Sequence, residues 1–420
     1  MTQASVFRLS RWGALIGAVT LMAAACTPTS GEGNVADPAD WDGVLSGSRG
    51  QELNLFMWGG SSEINRFVDT VYGPRLEAEF GIELNRIPVA DTVDAVNKVL
   101  SEIQAGRERG GAVDLIWING ENFQTLRQAD ALLADWSTRI PNARFVDWDA
   151  PEVSLDFGLA VAGFESPWGS AQFQFVYDSA RFGPDELPRS YAELLEWVEM
   201  HPGRFTYPAP PDFHGNRFVK QAFYELTGGP ERWLGGFDAA GYAESSPALW
   251  AYLREMEPYL WRQGASYPPS IAELNRLFAN GEVDFTFTQL PAGIEADVAA
   301  GVLPATSRPF VFDTGTIGDS HYLAIPANAA HPEAAMVMAN LVLEPELQAA
   351  KLAPANGWGD GLGISLSLLD ADDRRRIEAV LDDLGELALE PALLESVRLP
   401  EVAADYTIAL ERDWQQYVRR

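Results

Sequence analysis

Apolar runs alternate with segments of helical spacing along residues 53–123, and this alternation is the clearest pattern in the chain. The apolar runs cover residues 53–58, 82–89 and 113–118, and amphipathic segments lie between them. Strands that alternate with helices are typical of right-handed βαβ units, which build a parallel sheet. We therefore expect the fold to begin as strand, helix, strand, helix and strand.

Polar, glycine-rich turns follow the first and third of these predicted strands. Ligands of open α/β sheets bind outside the carboxyl ends of the strands, and helix starts there carry backbone N–H groups without intrahelical partners. The two turns therefore predict ligand contacts from Trp58, Gly60, Ser61, Ser62, Asn119, Glu121 and Asn122. A structural role is the alternative for each, because serines cap helices and a tryptophan at a strand end often packs in the core.

A second series of strands and helices follows, and the chain then returns towards the first series. The segment after residue 50 is longer than one hydrophobic core usually supports, so we expect two lobes. An alternating stretch at residues 171–177 predicts a strand that crosses out of the first lobe. We assign residues 51–172 and 318–420, with the C-terminal helices, to the first lobe, and residues 173–317 to the second.

The N-terminus has the features of an export signal. In residues 1–25, Arg8 and Arg11 precede a short apolar stretch that ends in small residues, as in secretory signal peptides. Small residues directly before Cys26, the single cysteine, predict lipidation, and an ordinary signal with an incidental cysteine is the alternative. Residues 26–50 are rich in Pro, Gly, Ser and Asp and predict a flexible tether. We expect a lipid-anchored protein of the periplasm or cell envelope.

The charge balance narrows the choice of partners. The chain has 60 acidic and 30 basic residues, which give a formal net charge of −30. This charge disfavours nucleic acid and anionic membrane surfaces as partners. We therefore expect membrane contact through the lipid anchor alone. We also expect a monomer.

Two longer stretches carry a resemblance to a known family. They are AELNRLFANGEVDFTFTQLPAG at residues 272–293 and IGDSHYLAIPANAAHPEAAMVMANLVLEPELQA at residues 317–349. With the N-terminal signal and the βαβαβ start, they resemble the extracellular solute-binding proteins of ABC importers. The segments 113–123, 157–178 and 354–360 are similar to the YnjB-type subgroup of that family.

The resemblance implies a type II periplasmic-binding-protein fold. In this α/β fold each of two lobes has a mixed, mostly parallel sheet flanked by helices, and crossing strands form a hinge. The implied function is the substrate-binding component of an ABC importer, which captures a small solute in the cleft and delivers it to a permease and its ATPase. No catalysis, cofactor or metal is implied.

Further ligand contacts are expected from the hinge and the second lobe. The candidates lie before a crossing strand, at strand ends or at helix starts, and they are Trp168, Tyr207, Asp212, Asn216, Thr288 and Asp313. Each of them also has an interpretation as a loop or packing residue.

The residue types in the predicted cleft leave the charge of the ligand open. The rings of Trp58, Trp168 and Tyr207, with a carboxylate from Glu121 or Asp313, would suit a cationic or polar organic molecule such as thiamine. Helix starts would instead suit an anion such as sulfate or phosphate. We favour the cation because of the overall acidity.

Motifs of enzyme chemistry are weak in this sequence. The four histidines, at positions 201, 214, 321 and 331, lack the i, i+4 spacing of metal ligands, and there is no G-x-S-x-G motif. The alternating glycines of residues 357–363 lie outside any βαβ unit, so they do not indicate a dinucleotide site. A secreted glycoside hydrolase with paired carboxylates is the enzyme alternative, and an exported adhesion lipoprotein is a third.

Overall fold

The computed structural model describes residues 35–234, 236–356 and 358–419, so the predicted signal segment and Cys26 lie outside the described residues. The chain has an α/β fold with two lobes, a first lobe around a six-stranded sheet and a second lobe around a three-stranded sheet. The strands are β1 (Glu52–Trp58), β2 (Glu83–Val89), β3 (Leu115–Ile118), β4 (Leu155–Asp156), β5 (Leu159–Ala160), β6 (Glu165–Gln172), β7 (Gln174–Asp178), β8 (Phe285–Thr288), β9 (Ser307–Phe310), β10 (Thr316–Ala324) and β11 (Arg398–Leu399).

Helices cover the sheets. They are α1 (Trp41–Ser48), α2 (Ser62–Phe67), α3 (Gly73–Phe80), α4 (Thr92–Gln104), α5 (Gly120–Gln128), α6 (Pro151–Ser154), α7 (Tyr191–Met200), α8 (Phe213–Leu226), α9 (Ala239–Met256), α10 (Ile271–Ala279), α11 (Gly293–Ala299), α12 (Pro332–Val342), α13 (Pro345–Leu352), α14 (Ala371–Leu384), α15 (Pro391–Ser396) and α16 (Ala404–Tyr417). In the part of the chain that the structure describes, none of the helices is both long enough and apolar enough to cross a membrane.

The first lobe contains the predicted βαβαβ start. Strand β1 pairs in parallel with β2 and β3, while β10 runs antiparallel to β3 and β6. Along β1 every second side chain, from Leu53 through Leu55 to Met57, is fully buried. This period of two places one face of the strand on the core, which includes the apolar helix α12.

The second lobe differs from the mostly parallel sheet predicted for it. Its strand order is β8-β7-β9, and both pairs are antiparallel. Strand β7 arrives from the first lobe, and β8 and β9 flank it in the opposite direction. Phe175 of β7 lies between Phe287 and Phe310, and it stacks on Phe312 at 4.4 Å between ring centroids. Aromatic packing of this kind holds the small sheet together.

Crossing strands join the lobes, as the fold implies. Strand β6 continues into β7 through Phe173, whose N–H donates to the carbonyl of Ile317 at 2.9 Å. Strand β10 runs back beside β6, with Gly318 opposite Gln172. Two adjacent strands therefore pass from lobe to lobe at the same place.

Both ends of the described chain differ from the prediction. Residues 41–48 form the helix α1 inside the segment predicted as a tether, and α1 packs on α12 with Val44 buried. At the other end, α16 was expected in the first lobe. Its buried side chains instead join the core of the second lobe, where Trp414 Nε1 donates to the Tyr207 hydroxyl at 3.1 Å. The chain therefore crosses between the lobes a third time, and β11 pairs with β10 on the way.

Candidate ligand-binding site

Trp58 and Gly60 form an exposed corner at the end of β1. The Trp58 side chain is 42% exposed, which is unusual for so large an apolar group. Its ring lies against Gly60, where an added Cβ would be 2.1 Å from the ring carbon Cζ2. Glycine is therefore required at position 60 for the ring to lie there, and the ring presents an open face at the end of the strand.

The two serines after this corner serve the start of α2. Ser61 accepts a hydrogen bond from the Ile64 N–H at 3.2 Å and so caps the helix. The hydroxyls of Ser61 and Ser62 also donate to the Glu63 carboxylate, at 3.2 and 2.7 Å. The Ser62 hydrogen bond is the largest cause that lowers the pKa of Glu63. This turn therefore holds a carboxylate at the helix start.

The turn after β3 is also occupied by a carboxylate of the chain. Gly120 has a φ of +60°, and its N–H donates to both oxygens of Asp156 at 2.9 Å. Asp156 is buried, and burial raises its pKa well above the usual range. Around Gly120, Asn119 is half-buried, Glu121 is exposed and Asn122 is buried. The N–H at the start of α5 is therefore already bound from within the protein.

Trp168 lies in the core of the first lobe. Its ring is fully buried and makes edge contacts with Trp117 and Trp358, at centroid distances of 5.1 and 5.2 Å. The structure therefore places this predicted cleft residue among packed rings.

Two other predicted residues, both in the second lobe, have neighbours within that lobe. Tyr207 is fully buried and stacks on Phe218 at 4.5 Å between centroids. Asp313 is exposed, and its N–H donates to the Arg189 carbonyl at 2.8 Å. The expected combination of Trp58, Trp168 and Tyr207 in one aromatic cage is thus not assembled, because two of the rings are used for packing in different lobes.

Three predicted residues surround the start of α8 and the end of β8. Asp212 caps α8 by accepting from His214 and Gly215 N–H groups, at 2.9 and 3.1 Å. Asn216, one turn further, donates to the Glu411 carboxylate of α16 at 2.6 Å. Thr288 is buried at the end of β8. Asp212 therefore has a structural role, whereas Asn216 connects α8 to the C-terminal helix.

A buried charge cluster on α8 was not predicted. Arg217 is fully buried and lies 2.5 Å from Asp319 Oδ1 and 3.3 Å from Glu401 Oε2. Lys220 lies 2.9 Å from Glu401 Oε1. The four residues come from α8, β10 and the segment after β11, so no local pattern could have joined them. Lys220 offered one signal, since it is one of three lysines in the chain.

The charges in this cluster act on one another's pKa values against the effect of burial. Burial would raise the pKa of Glu401, but Lys220 and Arg217 outweigh it and lower the pKa. Burial lowers the pKa of Lys220, and the Glu401 charge opposes that effect. For Asp319 burial is the larger effect, and it raises the pKa. Two cations and two carboxylates thus balance in a site shielded from water.

The cluster lies where the second lobe meets the first. The Lys220 ammonium is 4.8 Å from the centre of the Phe157 ring, in the short β4–β5 hairpin. An added Cβ on Gly158 of that hairpin would be 3.3 Å from Ala403 Cβ. The C-terminal segment and α8 therefore form one contact surface against the first lobe.

The lobes meet again near α11. The Ala292 N–H donates to the Gly359 carbonyl of the first lobe at 3.1 Å. Further along α11, burial and the nearby Glu63 charge raise the pKa of Asp297 to about 6. Glu63 of the first lobe is therefore close enough for its charge to act on a carboxylate of the second lobe.

The alternating glycines explain how this part of the first lobe packs. An added Cβ would be 2.8 Å from Ala292 at Gly359 and 2.3 Å from the Ser170 carbonyl at Gly361. The segment thus lies close to β6 on one side and to α11 on the other. Lys351 holds it there by donating to Asp360 Oδ2 and to the Gly361 carbonyl, both at 2.6 Å.

Other cavities and clusters offer less chemistry. A cavity of about 310 Å³ is lined by Asp135, Thr138, Trp148, Ser154, Val161, Ala162 and Gly163, and it contains none of the predicted site residues. Among the described residues, there is no group of three or more histidine, cysteine or acidic side chains placed to hold a metal ion. The lobe interface is therefore the strongest candidate site.

Comparison with known proteins agrees with this geometry. Residues 74–359 match the family of bacterial extracellular solute-binding proteins. Protein YnjB of Escherichia coli (strain K12) is 38% identical over 377 residues, which cover 90% of this chain and 93% of that protein. The chain therefore belongs to the bacterial extracellular solute-binding proteins, and the predicted resemblance is confirmed.

Solved structures share the two-lobed fold at low sequence identity. The spermidine/putrescine ABC transporter substrate-binding protein PotD of Streptococcus pneumoniae matches with a TM-score of 0.60 and 15% identity, over 88% of this chain and 100% of that one. A periplasmic thiamin binding protein matches with a TM-score of 0.56 and 16% identity, over 88% and 96%. These similarities confirm the fold. The family implies a substrate-binding component of an ABC transporter, located in the periplasm or cell envelope.

Proposed function

We propose that this protein captures a small cationic or polar organic solute, such as a thiamine-like molecule, between its lobes. The solute is then delivered to a membrane permease and its ATPase without a catalytic step. The observation that carries the ligand class is the set of carboxylates at both edges of the lobe interface. Glu63 and Asp297 lie at one edge, and Glu121 and Glu411 lie at the other, where the Glu121 charge contributes to a raised pKa of Glu411 after the larger effect of burial.

A cation would neutralise these like charges, whereas an anion would add to them. The exposed ring of Trp58 near Glu63 adds a face on which an organic cation can stack. At two helix starts that would suit an anion, a backbone N–H group already donates to a side chain of the protein. The acceptor is Asp156 at α5 and Ser61 at α2. These points favour the cation over a sulfate- or phosphate-type ligand.

We further propose a monomer that is lipid-anchored through Cys26. Replacement of Cys26 by Ser should release the protein from washed membranes, and retention on them would refute the anchor.

The lobe boundaries also remain a proposal, with residues 51–172 and 318–420 in the first lobe. The packing of α16 favours moving residues 402–418 to the second lobe.

A thermal-shift screen tests the ligand class. The panel holds thiamine, spermidine and choline as cations, sulfate and phosphate as anions, and neutral sugars. A ligand that binds only the native state stabilises it and so raises the melting temperature. At a ligand concentration of 100 times the Kd, the stabilisation is about 2.7 kcal/mol. We expect a shift with a cation, and shifts confined to anions or sugars would refute the proposal.

Charge variants locate the site. Glu63→Gln and Asp297→Asn should each weaken cation binding by about 10- to 150-fold, since each removes a charged contact worth roughly 1.5–3 kcal/mol. Glu244→Gln is the matched control, because Glu244 pairs with Arg232 on the exposed surface. Equal losses in all three variants would indicate a general effect of charge.

Opposed carboxylates also meet one condition of the hydrolase alternative, so release of sugar from a glycan is assayed in parallel.

A further inference from the structure

Gln289 is a buried amide without hydrogen bonds. Its side chain is 4% exposed, and neither Oε1 nor Nε2 has a hydrogen-bond partner among the described residues. Buried polar groups in folded proteins are almost always paired, because an unpaired one loses its hydration and gains nothing in return. Such an amide points to a partner that the chain does not supply.

The position of Gln289 is at the meeting point of the lobes. It follows β8 directly, and its carbonyl accepts from the N–H of Gln172, the last residue of the crossing strand β6. The next residue, Leu290, packs on the core of the first lobe. Ala292 then bonds to Gly359 of the first lobe at 3.1 Å. The backbone on both sides of Gln289 therefore touches the first lobe.

Gln172 adds a second incomplete amide at the same hinge. Its Nε2 donates to the Leu394 carbonyl at 2.8 Å, while its Oε1 has no partner within the described part of the chain. The two glutamines lie on neighbouring backbone segments, since the N–H of Gln172 binds the carbonyl of Gln289. The hinge thus carries one amide donor and two amide acceptors that are buried and unused.

We propose that Gln289 is a ligand-recognition residue that binds a planar group with adjacent donor and acceptor atoms, such as an amide or an amino-substituted heterocycle. This inference rests on the proposed function, because it assigns part of the same solute. The Gln289 amide has both a donor and an acceptor, so it can pair with such an edge through two parallel hydrogen bonds. The carboxylates at the edges of the interface recognise charge, and Gln289 recognises this neutral polar edge.

Gln348 provides a matched control. It is as deeply buried as Gln289, but its amide is fully used. Its Nε2 donates to the carbonyls of Val342 and Trp168, at 2.6 and 3.1 Å, and its Oε1 accepts from the Gly363 N–H at 2.8 Å. The two glutamines therefore differ in hydrogen bonding rather than in burial.

The first experiment compares Gln289→Met and Gln348→Met without ligand. Methionine keeps the length of the side chain and removes the amide, so it should raise the melting temperature at position 289 by about 1–3 °C. At position 348 it should lower the melting temperature by at least about 3 °C, because three hydrogen bonds are lost. A fall at position 289 as large as that at position 348 would show a satisfied amide and overturn the inference.

The second experiment uses acetamide as a probe of the edge. Crystals of the unliganded wild-type chain and of Gln289→Met are soaked in acetamide. Acetamide bonded to Gln289 in the wild type and absent from the variant supports the inference. Water that satisfies both amide atoms and is not displaced overturns it, as does acetamide bound equally in both crystals. If the wild-type chain shows no thermal shift with the solute panel, the proposed ligand class is refuted. The results of the Gln289→Met and acetamide experiments do not depend on that screen.

Discussion

Neutralising Glu401 should destabilise the protein strongly, because this carboxylate balances two buried cations. Glu401 lies 2.9 Å from Lys220 and 3.3 Å from Arg217, and it also accepts from the Val402 N–H at 2.8 Å. In Glu401→Gln both cations would face Asp319 as their remaining carboxylate in the cluster. Removal of one partner from a buried ion pair typically costs 3–5 kcal/mol. Glutamine keeps the shape and one acceptor, so we expect a loss of about 3 kcal/mol.

Glu395→Gln is the control for this change. Glu395 lies in the same C-terminal segment and pairs with Arg398 at 3.4 Å, but its side chain is 70% exposed. Exposed ion pairs contribute about 0–1 kcal/mol. Urea unfolding at pH 7, followed by tryptophan fluorescence, should therefore give a lower midpoint for the Glu401 variant and an unchanged midpoint for the control. A loss below about 1 kcal/mol at position 401 would refute the role of the buried cluster.

The pH dependence gives an independent check on the same residue. The pKa of Glu401 is lowered in the folded state from its ordinary value of 4.5, with Lys220 and Arg217 as the causes that outweigh burial. Its contribution to stability is therefore present above pH 4.5 and is lost as the pH falls through the lower folded value. The difference in stability between wild type and Glu401→Gln should shrink below about pH 4.5. A difference that grows on acidification would contradict this account.

Two further predictions concern the lobe interface and the crossing strands. Burial, with the Glu63 charge, raises the pKa of Asp297 to about 6 in the folded state, so the protein loses stability through this group as the pH rises from about 4 to about 6. Asp297→Asn should therefore raise the melting temperature relative to wild type more at pH 7.5 than at pH 4.5, and equal effects at both values would contradict the raised pKa. Gly169→Ala should cost about 1–3 kcal/mol in urea unfolding, because its Cβ would be 2.0 Å from Asp360 Oδ2. In Gly236→Ala the added Cβ meets nothing within 4 Å, so stability should change by less than about 1 kcal/mol.

The candidate site residues were predicted from their places in the chain. Ser61, Asn119 and Asn216 were chosen because they end strands or begin helices, and that rule depends on chain order alone. Trp168 and Tyr207 were also chosen by position, before a crossing strand and at a strand end, and their rings were expected to line the cleft. The structure buries both in the hydrophobic cores. A ring suits a cleft wall and a core equally well, so its residue type does not distinguish the two.

The periodicity of the chain was sufficient for the α/β class and the βαβαβ start, because strands and helices have different repeats in sequence. The two lobes were expected from the length of the chain. The acidity was also readable, since it depends on composition alone. The antiparallel second sheet, the docking of α16 and the Arg217–Glu401 pair required the three-dimensional structure. They join segments that are up to 207 residues apart. The energy of such contacts depends on burial and geometry that local pattern does not contain. The unpaired amide of Gln289 also required the three-dimensional structure, because only the surroundings of a side chain show whether its hydrogen bonds are made.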